Sequence, residues 1–135
     1  MKQILFTLTM LVLSTSIFAQ AEKTLLKSVL INTGTASIEL PGEVSVSTWD
    51  KPYIRVTATI KTTNFTEEVL KRIVSAGRYD IQGIQENGLT IINMPKLGNQ
   101  VTIGGVKMVE IFKFEVQIPE TMDSKVNPVN VQQAM

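Results

Sequence analysis

The 135-residue sequence contains no cysteine and no histidine. Without cysteine the chain cannot form disulfides, carry a thiol-linked lipid anchor or use a thiol nucleophile. Without histidine it lacks the side chain best suited to proton transfer near neutral pH, and zinc sites of the usual Cys and His type cannot be built. Only carboxylates, lysine with serine, or tyrosine remain for catalysis. We therefore expect no enzymatic activity, no cofactor and no metal site.

An excess of charge of one sign is also lacking. The chain has 13 basic and 12 acidic residues, and their signs alternate along it rather than cluster. Tight binding of phosphate groups needs a concentrated positive field, so we expect no nucleic-acid partner. The same argument disfavours electrostatic binding to a membrane surface.

The carboxylates are not spaced as catalytic pairs. Glu67 and Glu68 are neighbours in a helical pattern, so their side chains point to different sides of the helix. Their negative charges lie in the first turn, where they interact favourably with the helix dipole. Glu110 and Glu115 lie on a predicted strand with an odd spacing, and hence on opposite faces. The sequence also lacks a calcium-loop spacing, a Gly-x-Ser-x-Gly elbow and a phosphate-binding glycine loop. No residue is therefore predicted to be catalytic.

The N-terminus has the pattern of an export signal. Lys2 provides the positive charge, Ile4 to Leu13 form an apolar run, and Ala19 and Ala21 each offer a small-residue cleavage site. An uncleaved anchor is the alternative, but the run is short for a transmembrane helix. We expect residues 1–21 to be a signal peptide, the protein to reach the periplasm, outer surface or medium, and no integral membrane segment to remain.

The remaining chain of about 114 residues has the size of one domain, and its dominant period is two. The clearest example is Ile54-Val56-Ala58-Ile60, which is interleaved with polar residues. This pattern predicts a mainly β fold: an antiparallel sheet or sandwich, or the start of a β-helix. We expect a β-rich domain over residues 22–120 and a weakly ordered tail over 121–135, where the pattern ends.

One segment has helical periodicity. Asn64 or Thr66 can cap it, acidic residues occupy its first turn, and Gly77 follows its end. We expect a short α-helix at about residues 66–76, packed on the sheet. Beyond it, Asn87-Gly88 predicts a tight hairpin turn and Gly104-Gly105 another turn.

Trp49, Asp50 and Tyr53 flank a turn between two predicted strands and could present an aromatic contact surface. They are the predicted binding residues. The competing interpretation, which the small size of the core favours, is that Trp49 folds back as a lid over that core. Asn64-Phe65-Thr66 matches a glycosylation sequon, but helix capping is the favoured explanation.

Three segments resemble exported bacterial adhesins with β-strand repeats, related to the GIN head domain: Val44-Ser45-Val46-Ser47-Thr48-Trp49-Asp50-Lys51-Pro52-Tyr53-Ile54-Arg55-Val56, Glu86-Asn87-Gly88-Leu89-Thr90-Ile91 and Phe114-Glu115-Val116-Gln117-Ile118-Pro119. The resemblance spans about residues 26–120. In such proteins the chain continues into glycine-punctuated strands that stack as a β-helix. That repeat half is missing here, so the resemblance implies a shortened member or a truncated product.

The expected function is therefore that of a non-catalytic, secreted or envelope-associated β domain with an adhesin-like interaction or structural role. Its partner would be an unknown protein or glycan, and exposed strand edges could support self-association. The alternative is a periplasmic small-ligand-binding domain with an apolar pocket near Val69, Ile73 and Phe112.

Overall fold

The computed structural model describes residues 20–31 and 34–129, and it is mainly β. One helix, α1, spans Glu67–Ser75. The strands are β1 (Ala21–Leu30), β2 (Thr35–Glu39), β3 (Glu43–Trp49), β4 (Tyr53–Thr62), β5 (Gln82–Glu86), β6 (Leu89–Asn93), β7 (Thr102–Ile103), β8 (Val106–Lys107), β9 (Glu110–Pro119) and β10 (Asp123–Val126).

The strands form two four-stranded sheets and a separate hairpin of β7 and β8. The first sheet has the order β1-β4-β9-β3 and the second the order β10-β2-β6-β5. Both are mixed: β3 runs parallel to β9, and β2 runs parallel to both β6 and β10, whereas the other pairs are antiparallel. Alternation along a single strand carries no information on these directions.

The core consists of aliphatic and phenylalanine side chains from both sheets, which is consistent with the predicted β sandwich. In β4 every second residue is buried, because one face of this central strand meets the core and the other meets solvent. Its partner β9 alternates in the same way, with Phe114 and Val116 fully buried beside Ala58 and Val56. The face of the first sheet that carries these residues is called its inner face, and the opposite one its outer face.

The predicted helix is confirmed within one residue at each end. The hydroxyl of Thr66 accepts a hydrogen bond from the backbone N–H of Val69, which makes Thr66 the N-cap. Gly77 follows the end of the helix with φ of +87°, a conformation that favours glycine. Leu70 is fully buried, and a Glu67–Lys23 ion pair of 3.2 Å joins the helix to β1.

Two strands lie where the sequence pattern predicted none. β1 begins at Ala21, which is 5% exposed and paired with Thr62, so cleavage after Ala21 would remove the first residue of the strand. β10 lies within the predicted tail, and the predicted domain boundary at residue 120 is therefore too early. The amide of Asn127 also donates to the carbonyl of Ile38. Residues 1–19 of the predicted signal and 130–135 of the predicted tail lie outside the described residues.

Candidate binding surface

The outer face of the first sheet is rich in hydroxyl groups and carries its aromatic side chains at one end. Strand register places Leu30 of β1 beside Tyr53 of β4. Trp49 of β3 lies opposite Pro119, the last residue of β9, which is the strand between β4 and β3 in the sheet. We call Leu30, Tyr53 and Trp49 the aromatic row. Elsewhere this face presents mainly polar side chains, including Thr57, Thr59, Ser45, Ser47 and Gln117.

The aromatic row forms because the chain crosses over the end of β9. The linker of residues 50–52 carries it from β3 to β4, which are not neighbours in the sheet. The indole N–H of Trp49 donates to the carbonyl of Tyr53 at 2.9 Å, and the rings meet edge to face with centroids 5.0 Å apart. The amide of Glu120 donates to the carbonyl of Trp49 where β9 ends. The first two contacts fix the orientation of the indole ring, and the third holds the backbone of Trp49.

Arg55 adds a cationic group to this surface. Its guanidinium carbon lies 5.2 Å from the centroid of the Trp49 ring, within the range of a cation–π interaction. Asp50, in the linker, is exposed and places a carboxylate at the same end of the domain. The surface thus combines apolar, cationic and anionic groups on a firmly positioned scaffold.

The structure places Trp49 and Tyr53 together on the outer face, and the linker that joins their strands carries Asp50 at the same end of the domain. Trp49 is half-buried, but its register position excludes the lid interpretation, because the core lies on the opposite side of the sheet. Sequence reasoning missed Leu30 and Arg55, which join the surface only through strand register. Leu30 is 84% exposed, which is a high value for a leucine in a strand, and the sequence pattern did not predict this exposure.

A second polar cluster, predicted by nothing in the sequence, is buried near the beginning of β9. Arg78 holds the carboxylate of Glu110 with two hydrogen bonds, of 3.0 and 2.6 Å, and the hydroxyl of Tyr79 donates to the same carboxylate. Arg78 also donates to the carbonyl of Asn99. The Tyr79 ring packs against Phe112 with centroids 5.9 Å apart. The cluster therefore joins the segment after α1, the loop before β7 and strand β9.

This cluster shifts two pKa values. Burial raises the pKa of Tyr79 well above its usual value, and the hydrogen bond to Glu110 and the charge of that carboxylate raise it further, while Arg78 opposes them. Burial alone would lower the pKa of Arg78, but the hydrogen bonds and charges of Glu110 and, to a lesser degree, of Tyr79 together outweigh burial, and the pKa is raised. At neutral pH Tyr79 is thus a neutral donor and Arg78 a cation, which suits a structural link.

Glu110 lies on the inner face of β9 and Glu115 on the outer face, so the predicted separation of these two carboxylates is confirmed.

A groove runs between β1 and the chain from Tyr79 to Gln85. It consists of two adjoining open parts of about 400 and about 460 Å³, which share Lys27, Ile81 and Gln82. It does not include the residues predicted to line a ligand pocket: Val69, Ile73 and Phe112. Phe112 instead packs between the rings of Tyr79 and Phe114.

Asn64 of the sequon is neither the helix cap nor a free side chain. Its Nδ2 donates to the carbonyl of Lys107 at 2.8 Å, and its Oδ1 accepts from the backbone N–H of Val109 at 3.0 Å. The Thr62 hydroxyl donates to the same oxygen at 3.2 Å. Asn64 thus ties the end of β4 to the connection between β8 and β9.

Within residues 20–31 and 34–129, no three acidic, histidine or cysteine side chains lie close enough together to hold a metal ion. In the same part of the chain, no helix has the length and apolar character needed to cross a membrane. Comparison of the sequence with family models and with curated proteins, and of the fold with solved structures, finds no match. The resemblance to adhesins therefore stays a prediction.

Proposed function

We propose that the protein is a non-catalytic, exported β domain that binds a protein or glycan of the cell envelope through the aromatic row. The observation that carries this proposal is the alignment of Leu30, Tyr53 and Trp49 at one end of a polar sheet face. The adhesin-like sequence segments and the export signal agree with such a role.

The chemistry of the surface suits binding more than catalysis. Tyrosine, tryptophan and arginine are enriched among residues that dominate binding energy, because they combine a large contact area with polar groups. The contact of Arg55 with the Trp49 ring restricts both side chains before a partner arrives. A surface ordered in advance loses less conformational entropy on binding.

The test uses Trp49 as its own probe, since it is the single tryptophan of the chain. Purified protein is titrated with envelope glycans and with purified envelope proteins while indole fluorescence is followed, and its binding to whole cells is measured by sedimentation. We expect saturable binding that Leu30→Asp and Arg55→Ala each weaken about tenfold, the loss of roughly 1.4 kcal/mol.

Ile111→Asp is the matched control. Ile111 is 50% exposed on the same outer face, but at the end opposite to the aromatic row, so this variant should bind like the unmodified protein. Equal binding by all variants, or no binding to any glycan, protein or cell, would remove the support for this proposal.

The groove beside β1 favours a second candidate function, a small-ligand-binding domain. Its parts fall in the size range of small-molecule sites, and its lining mixes the apolar side chains of Leu25 and Ile81 with Lys27 and Asp80. Native mass spectrometry of freshly purified protein would detect a retained ligand, and Lys27→Glu should weaken an anionic one. Protein that carries no ligand and binds none from a metabolite extract would exclude this function.

A further inference from the structure

Strand β1 is an edge strand with few of the features that usually block pairing. It spans Ala21–Leu30, contains neither proline nor glycine, and among the described residues its hydrogen-bonded neighbour lies on one side only, where β4 runs. A long edge with unpaired backbone groups is a template for another strand. The main features of β1 that disfavour pairing with another strand are the charges of Lys23 and Lys27 on the inner face.

The three other sheet edges are better protected. β3 lies between Pro41 and Pro52 and begins with Glu43. β5 has only five residues, contains Gly83 and ends with Glu86. β10 has only four residues, of which two are charged, and Pro128 follows soon after it. Short length, charge and proline all disfavour strand addition.

β1 also carries the two most exposed large apolar side chains of the described residues. Leu26 is 67% exposed and Leu30 is 84% exposed, and both lie on the outer face. The carbonyl of Leu30 accepts a hydrogen bond from the Gln85 side chain, so it points away from β4. Because backbone groups alternate in direction along a strand, the even-numbered residues of β1 offer their N–H and C=O groups to the free edge.

We propose that a second copy of this chain occupies the edge, with two β1 strands paired antiparallel about a two-fold axis and Leu26 opposite Leu26. The two first sheets then form one continuous eight-stranded sheet. A two-fold interface places the same residues on both sides, so a single strand must be complementary to itself. This proposal goes beyond binding at the aromatic row and does not depend on it.

The register follows from side-chain chemistry and from the length of the ladder, since a centre at Thr24 or Ser28 would leave three or more residues of β1 unpaired. Directly opposed residues of an antiparallel pair share a face, so even-numbered residues must oppose even-numbered ones. A centre at Leu25 would oppose Lys23 to Lys27, and a centre at Lys27 would oppose Lys27 to itself. Like charges directly opposite each other destabilise a pair.

A centre at Leu26 avoids both clashes and pairs the strand from Glu22 to Leu30. Thr24 then lies opposite Ser28 on the outer face, and Lys27 opposite Leu25 on the inner face, where the groove lined by Asp80 receives its ammonium group. At the end of the ladder, the N–H of the partner's Glu22 replaces Gln85 on the carbonyl of Leu30. The buried contact joins two leucines that are otherwise exposed to water.

The absence of cysteine allows a direct test of both association and register. The protein is expressed from the full coding sequence, purified and oxidised with copper phenanthroline. Opposed Cα atoms in a hydrogen-bonded antiparallel pair are about 5.5 Å apart, within disulfide range. Leu26→Cys should give a cross-linked dimer at least tenfold faster than Ile111→Cys, the exposed control on the same face.

The Thr24→Cys and Ser28→Cys variants fix the register. Each variant alone should form few disulfide cross-links, whereas a mixture of the two should cross-link. Light scattering should show a dimer of the unmodified protein, and Leu26→Lys should raise its dissociation constant at least tenfold while the circular dichroism spectrum stays unchanged.

A monomer at the highest soluble concentration, or cross-linking no faster at position 26 than at 111, would overturn the proposal. Self-cross-linking through position 24 or 28 would overturn the register. Since no ligand is present in this experiment, its failure leaves binding at the aromatic row untouched.

Discussion

Arg78 and Glu110, 32 positions apart in the chain, form a bidentate ion pair whose side chains are only 9% and 8% exposed. Their hydrogen bonds have the fork geometry in which arginine recognises carboxylates most strongly. The pair fastens the segment after α1 to the beginning of β9, so it holds together two parts of the domain that the sheets do not connect directly. Its removal should therefore affect stability rather than partner binding.

We expect Glu110→Gln to lower the free energy of unfolding by about 3 kcal/mol, since removal of one partner leaves the buried Arg78 cation uncompensated. Arg78→Met combined with Glu110→Gln should cost less than the sum of the single changes. Urea denaturation followed by circular dichroism measures these values. The control is Glu68→Gln, which breaks an exposed pair with Arg72 and should cost about 0.5 kcal/mol or less. Equal losses at the two sites would contradict a structural role for the buried pair.

The raised pKa of Tyr79 predicts a loss of stability at alkaline pH. In the unfolded chain this phenol has a pKa of about 10, whereas burial and Glu110 raise it in the folded protein. The folded state therefore retains a proton that the unfolded state releases. Stability from this group is complete below pH of about 10 and is lost as pH rises from there towards the folded pKa.

Tyr79→Phe should be less stable at neutral pH, because the hydrogen bond to Glu110 is lost, but its stability should decline less steeply above pH 10. Denaturant titrations between pH 7 and 11 measure the slope. Tyr53→Phe is the matched control, since Tyr53 is only half-buried on the outer face. A steep alkaline decline that persists in Tyr79→Phe would assign the effect to other groups.

The sequence predicted the features that depend on local pattern. Alternation identified β4, the Thr66 hydroxyl and first-turn acids identified the helix, and Asn87-Gly88 identified the hairpin, in which both residues have positive φ. β1 escaped prediction because adjacent Leu25 and Leu26 break its alternation, and Leu26 faces solvent.

Contacts between distant residues could not be predicted from one sequence. Trp49 and Tyr53 were identified as candidates because they flank a turn, but Leu30 reaches them only through the pairing of β1 with β4. Arg78 and Glu110 show no pattern that relates them, since an ion pair imposes no periodicity on the chain. The parallel directions of β3 and β10 depend on sheet topology, which the alternation of each strand leaves open.

A close approach between the sheets makes Gly83 sensitive to substitution. A Cβ atom at this position would lie 2.2 Å from Cγ1 of Val29, so a side chain cannot be added without displacing β1 or β5. We expect Gly83→Ala to destabilise the protein by about 1–3 kcal/mol. The Val29→Ala change should restore part of this loss in the double variant, although alone it removes buried volume.

Gly98→Ala is the control for Gly83, because nothing lies within 4 Å of a Cβ at position 98. This variant should be neutral or slightly more stable, since alanine reduces the conformational entropy of the unfolded chain. Thermal unfolding of the four variants checks the prediction. A neutral Gly83→Ala variant would show that β1 and β5 are far enough apart to admit a side chain between Gly83 and Val29.

The three hydrogen bonds of the Asn64 side chain predict that it orders the connection between β8 and β9. Asn64→Asp keeps an acceptor for the amide of Val109 but loses the donor to Lys107, and it places a negative charge near that carbonyl. We expect Asn64→Asp and Asn64→Ala each to cost about 1–2 kcal/mol of stability. Thr63→Ala, at an exposed neighbouring position, should cost much less.

Amide hydrogen exchange gives the more specific readout. The Val109 amide should lose protection in Asn64→Ala but keep part of it in Asn64→Asp, because only the aspartate retains its hydrogen-bond acceptor. Unchanged protection of Val109 in the alanine variant would mean that Asn64 does not hold this connection.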